Sequence, residues 1–171
     1  MQRVLAKLEA SGQIMTVTRI MANEPKLFRP FILVANALVY SEHLPADVRE
    51  VVVLWIARSE EATYEWYEHV PMALRMGVTQ EQVDLIDNGQ VDANGFSEDQ
   101  LLGVAVARAI MVDRELPNDL WQRSIDRWGV AGAIDLVMSV GWWGGITRML
   151  LDALGLKVPD QGDHKIVSWG R

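Results

Sequence analysis

Apolar residues recur at three- and four-residue spacings along most of this chain, and that periodicity predicts helices. In ADVREVVVLWIARSE, Val51, Leu54 and Trp55 share one face, and Arg58 continues it. The valines there suit a strand, but the segment is long and lacks two-residue alternation, so it predicts a helix. Pro45 fits its first turn. Pro25 likewise fits the start of a helix running to about Tyr40, with Pro30 as a competing start, and SEHLPAD between them is a loop.

The next predicted helix is EEATYEWYEHVPMAL, Glu60 to Leu74, kinked or restarted near Pro71, which cannot donate a backbone bond to Tyr67. Gly77 closes it. Thr79 with Gln82, and Ser97 with Gln100, form capping boxes that open two more helices, the second reaching about Arg114, with NGQVDANG as the loop between them. Pro117 begins a helix ending near Gly129, and a last one runs from about Ala131 to Leu154, stopped by Gly155. No pair of strands is predicted, so the fold class is all-α.

These elements fit one domain over residues 1–155, followed by a tail, 156–171, whose LKVPDQGDHKIVSWGR is either disordered or docks its IVSW on a neighbouring subunit. A weak internal duplication runs through the domain. Ala57–Arg58 recurs as Ala107–Arg108, and RMGVTQEQVDLI is echoed by RWGVAGAIDLV. His69 belongs to the first copy alone, so any chemistry is asymmetric.

Composition removes several classes of function. A net charge of −7 argues against non-specific nucleic-acid binding, which needs a basic surface, and against polybasic membrane anchoring. The chain contains no cysteine, which removes disulfides, thiolate nucleophiles and dithiol redox chemistry together. The start, MQRVLAKLEA, lacks the pattern of a signal peptide, and the two longest apolar stretches are interrupted by Arg29 and Arg148. The expectation is a cytoplasmic protein with no membrane and no nucleic-acid partner.

The densest chemistry lies between Glu60 and His69. Glu65 and His69 stand at i, i+4 and share a helix face, with Glu61 one turn earlier and Tyr64 and Glu68 on an adjacent stripe. Three readings are open at this level: a solvated acidic face, a metal site, or an acid–base centre. A metal needs converging ligands, whereas these carboxylates spread around one helix without the paired Glu-x-x-His pattern of di-iron bundles, so none is expected. Carboxylates beside an imidazole raise its pKa toward the range useful for proton transfer. Tyr64, Trp66, Tyr67, Trp142 and Trp143 are the candidate walls of a substrate pocket, each equally suited to core packing. Arg58 and Arg148 are expected to pair with Glu61 and Asp152, and His43 and His164 have no motif around them.

The stretch LPADVREVVVLWIARSEEATYEWYEHVPMALRMGVTQEQV resembles the core motif of the carboxymuconolactone decarboxylase and alkyl hydroperoxidase D-like family, closely over Leu44 to Val83 and more weakly over Pro25 to Gly155. The peroxidase-like branch carries a glutamate, a Cys-x-x-Cys and a histidine four residues after the second cysteine. Glu50 and His69 match the glutamate and histidine, while the cysteine positions fall on Ala62 and Glu65. The decarboxylase branch has a glutamate four before its histidine, as Glu65 stands to His69, and Glu50 is less typical of it.

The resemblance implies a cysteine-less member in which Glu50 orients His69 and Glu65 supplies a second carboxylate where a thiol stands in the peroxidase branch. It implies a homo-oligomer and a cofactor-free lyase of decarboxylase or isomerase type, acting on a small organic substrate and not as a thiol peroxidase. The alternative is a non-catalytic helical oligomer, or a small-molecule-binding protein, that kept the fold.

Overall fold

Proline, capping-box and glycine signals delimit the helices in three dimensions much as they do along the chain. The structure, a computed structural model, describes residues 16–155 together with residue 158, so the tail expectation lies almost wholly outside the described residues. Helix α1 (Thr16–Met21) leads into α2 (Pro25–Val39), which has Pro25 in its first turn and carries Pro30 inside it. Pro45 caps α3 (Ala46–Ser59), and α4 spans Thr63–Arg75. Both capping boxes form, opening α5 (Gln80–Asp87) and α6 (Glu98–Arg108). Helix α7 (Asn118–Gly141) and α8 (Arg148–Leu154) complete the described residues, among which there is no strand. The fold is all-α.

Three local features differ from expectation. The backbone of Glu61 turns to φ 54, a left-handed conformation uncommon outside glycine, so the chain reverses there and α4 begins only at Thr63. Glu60 and Glu61 therefore belong to a turn, and Glu61 does not share the helix face of Glu65. Helix α4 also runs through Pro71 as one element; Pro71 and Tyr67 lie on its exposed side, where a carbonyl without a helical partner is tolerated. Thirdly, two segments widen into π-helix, Ala109–Asp113 after α6 and Trp142–Thr147 between α7 and α8. Gly129 breaks α7 with φ 69 and ψ 173, at the boundary predicted for it.

Helix α3 is the core of the molecule. Val48, Val51, Val52, Leu54 and Ile56 are all buried, packed with Val104, Val106, Leu136 and Val140. The α7–π–α8 rod lies beside α3 in parallel register. Gly132 meets the His43 carbonyl, Val53 packs on Trp142 and Trp143, Gly144 approaches Ile56, and Arg148 bonds the Glu60 carbonyl. By length and composition the run Asn118–Leu154 would suffice to span a membrane, but Gly129 breaks it and Ala133, Leu136, Val140 and Trp143 are buried against the other helices. Gly77 (φ 101) and Gly129 (φ 69), at matching points of the two copies, both take a positive φ.

Candidate acid–base site

Parallel packing of α3 against the π segment, with α4 folded back across both, brings six side chains into one buried array. Helix α3 contributes Arg49 and Glu50, both 0 % exposed. Helix α4 contributes Glu65, 7 % exposed, and His69, 3 % exposed, on the face set by their i, i+4 spacing. The π segment contributes Trp143 and Thr147.

The contacts run as a chain. His69 Nδ1 lies 3.0 Å from Glu50 Oε2, and Nε2 lies 3.5 Å from Glu65 Oε1. On its other oxygen, Glu50 accepts a 3.1 Å bond from Arg49 Nε, with Arg49 Nη2 at 3.0 Å. Thr147 Oγ1 lies 3.4 Å from Glu65 Oε1 and bonds back to the Trp143 carbonyl at 3.1 Å. The Trp143 ring meets the imidazole edge-on, centroids 5.5 Å apart, and forms an apolar wall beside it.

The two carboxylates are driven in opposite directions. Burial alone would raise the pKa of Glu50, but the hydrogen bond and charge of His69, together with the Arg49 guanidinium, outweigh it and hold the group below the usual carboxylate range. Burial raises Glu65, opposed by the His69 charge and the Thr147 bond and reinforced by Glu68 and Glu50, and the net direction is upward. Burial would lower His69, yet its bond to Glu50 and the charges of Glu50, Glu65 and Glu68 win, so its pKa is raised. With Glu50 ionised, Nδ1 carries a proton and donates it to Oε2. Positive Arg49 and negative Glu50 cancel, so the array is neutral when one further proton is shared between His69 Nε2 and Glu65. The two groups titrate as a coupled pair.

Of the residues singled out in the sequence, Glu50, Glu65, His69 and Trp143 converge. Tyr64 is buried one layer away, packed with Val17 and Leu151. Trp66 packs against the main core, and Tyr67 is exposed. Trp142 stacks at a tilt on Phe31, centroids 4.7 Å apart, and forms the floor of an apolar groove of about 580 Å³ bordered by Leu27, Val34 and Met149. Neither arginine enters the array. Arg58 pairs with Asp87 at 3.3 Å instead of with Glu61, because the turn at Glu61 carries that carboxylate off the helix, while Arg148 pairs with Asp152 at 2.9 Å and reaches Glu60. His43 sits in an exposed loop, and His164 lies outside the described residues. Among the described residues, no group of three or more His, Asp or Glu side chains is arranged to hold a metal ion.

Sequence reasoning missed Arg49 and Thr147. Arg49 had a signal, since it interrupts the apolar run of VREVVVL one residue from Glu50 and one turn before Val52 and Val53. Thr147 had none, because its approach to Glu65 depends on the π-helical widening of the backbone.

The chain is all-α and holds a buried carboxylate–imidazole–carboxylate array. Residues 25–109, about half of the chain, match the family model of the Carboxymuconolactone decarboxylase family, and that stretch carries Arg49, Glu50, Glu65 and His69. The chain belongs to this family. No curated protein and no solved structure matches it.

Proposed function

We propose that the protein is a cofactor-free acid–base enzyme of decarboxylase or isomerase type, acting on a small organic substrate through an enolate. His69 is the proton-transfer group, acting through Nε2. Glu50 fixes the ring and its tautomer through Nδ1, and Glu65 takes or returns the proton shared with Nε2. Trp143 and Thr147 form the wall behind the reacting atoms. The observation that carries this reading is the pair of carboxylates flanking one imidazole, one driven down and the other up, since groups pushed apart in this way divide acid and base roles between them. Burial of the array favours proton transfer to carbon, because a dry site strengthens each charge interaction.

Dithiol peroxidase chemistry has no cysteine thiol to use in this chain and is outside the proposal. A cytoplasmic location and self-association belong to it as well. Exposed Leu27 (59 %) and Met149 (66 %), together with Leu33 and Tyr40, suit an interface between copies better than a solvated surface.

A panel of β-oxo acids and enol-lactones, assayed for CO₂ release and for deuterium uptake at the α-carbon in D₂O, tests the enzymatic reading. Turnover by the wild type should drop by roughly 10²–10⁴-fold in His69→Ala. Equal turnover in the two proteins would refute it.

A further inference from the structure

Arg49 is a fully buried cation, and its donors are poorly used for a merely structural arginine. Nη1 reaches the Leu38 carbonyl only at 3.4 Å, and Nη2, 3.0 Å from Glu50 Oε1, is off the angle of a hydrogen bond and has no other partner among the described residues. Burying a guanidinium with unsatisfied N–H groups is unfavourable unless its charge is needed. The one well-made interaction is with Glu50 Oε1, on the carboxylate whose other oxygen holds His69.

We propose that Arg49 is the positioning residue that makes the proton of His69 transferable, by fixing the Glu50 carboxylate and cancelling its charge. This rests on the acid–base reading above. The groups facing the imidazole are Glu50 from α3, Glu65 and, more distantly, Glu68 from α4, and the neutral Thr147 and Trp143 from the π segment. Without Arg49, a neutral His69 would stand between uncompensated buried carboxylates, and the array would hold its proton too tightly to release it. A guanidinium serves here because it stays charged at any working pH and presents a fixed fork to a carboxylate oxygen. Arg49 thus acts on His69 through Glu50 and touches no substrate.

Titration of His69 by NMR in Arg49→Met and Arg49→Lys tests this without any substrate. In folded Arg49→Met the His69 pKa should rise by about one unit or more, the effect expected of removing one compensating charge. Arg49→Lys, which restores the charge, should bring it back toward the wild-type value. An unchanged or lowered pKa in Arg49→Met overturns the proposal. Should that variant fail to fold, the carboxyl carbon of Glu50 in the wild-type protein gives an independent reading. It should report an ionised group throughout the His69 titration, and protonation of Glu50 as His69 loses its proton contradicts the role. If His69→Ala left turnover intact, the enzymatic reading would fall while these titrations still decided what Arg49 does.

Discussion

Glu50 Oε2 and His69 Nδ1 lie 3.0 Å apart across two helices, in an environment that hides both from solvent. The contact joins residues 19 positions apart in sequence and commits one imidazole nitrogen to a carboxylate. The other nitrogen is thereby left as the exchangeable one, facing Glu65. A surface histidine in a helical acidic patch would have neither constraint.

The array makes stability depend on pH in a stated direction. His69 has a folded pKa above 6.5, so its contribution is fully present below that value and is lost as pH rises through the folded pKa. Glu65, raised above 4.5, behaves the same way, contributing below 4.5 and losing its contribution as pH rises through its folded value. Glu50 is lowered, so its contribution is present above 4.5 and disappears as pH falls through its folded pKa. Urea unfolding should therefore show stability falling as pH rises above 6.5 and through the folded pKa of His69, and His69→Gln should flatten that fall. A wild-type protein whose stability rises over the same range would contradict the charge assignments.

Two glycines on helices should respond oppositely to alanine. A Cβ on Gly103 would lie 2.9 Å from Val52 Cγ2 and 3.1 Å from Val48 Cγ1, both on stiff side chains in the α3 core. Gly103→Ala should destabilise by about 1–3 kcal/mol through overpacking. A Cβ on Gly141 meets nothing within 4 Å, and its backbone is already helical, so Gly141→Ala should stabilise by up to about 1 kcal/mol. Denaturation midpoints of the two variants check both signs, and similar shifts for both would show that the α3–α6 packing is misdescribed.

Helix order, both capping boxes, the glycine stops and the pair Glu65–His69 were legible in the sequence because each is a local signal of fixed spacing. Glu50 was legible only through the family motif, since nothing within a few residues of it marks a partner 19 positions away. The turn at Glu61 was hidden by its composition: a glutamate with positive φ looks like helix. The π segments were hidden too, because an i→i+5 widening has no propensity signature, and with them the approach of Thr147 to Glu65. Trp142 and Trp143 are buried within the chain, and Trp55, Trp66 and Trp128 pack against its own core, so these aromatics are engaged inside the molecule. Leu27, Leu33, Tyr40 and Met149 are exposed apolar side chains available to an interface between copies.

Self-association is accordingly expected in solution, at a mass that is a multiple of the 19.2 kDa chain. Leu27→Glu combined with Met149→Glu should weaken it, since each places a charge on an exposed apolar position. Light scattering of the wild type at micromolar concentration checks the first statement, and a monomer would refute it.

The purified protein should reduce neither hydrogen peroxide nor an organic hydroperoxide with a dithiol donor, because no cysteine is available for the exchange. Peroxide consumption in a metal-free preparation would show chemistry that the Glu50–His69–Glu65 array does not explain.

Titration of the His69 ring by NMR, in the wild type and in Glu50→Gln, tests the central claim most directly, and the chain has only three histidines to assign. A carboxylate bonded to Nδ1 holds the proton on the ring, so the wild-type pKa should lie above 6.5 and Glu50→Gln should lower it. A wild-type His69 that titrates like an exposed histidine, with no change in Glu50→Gln, would contradict the account.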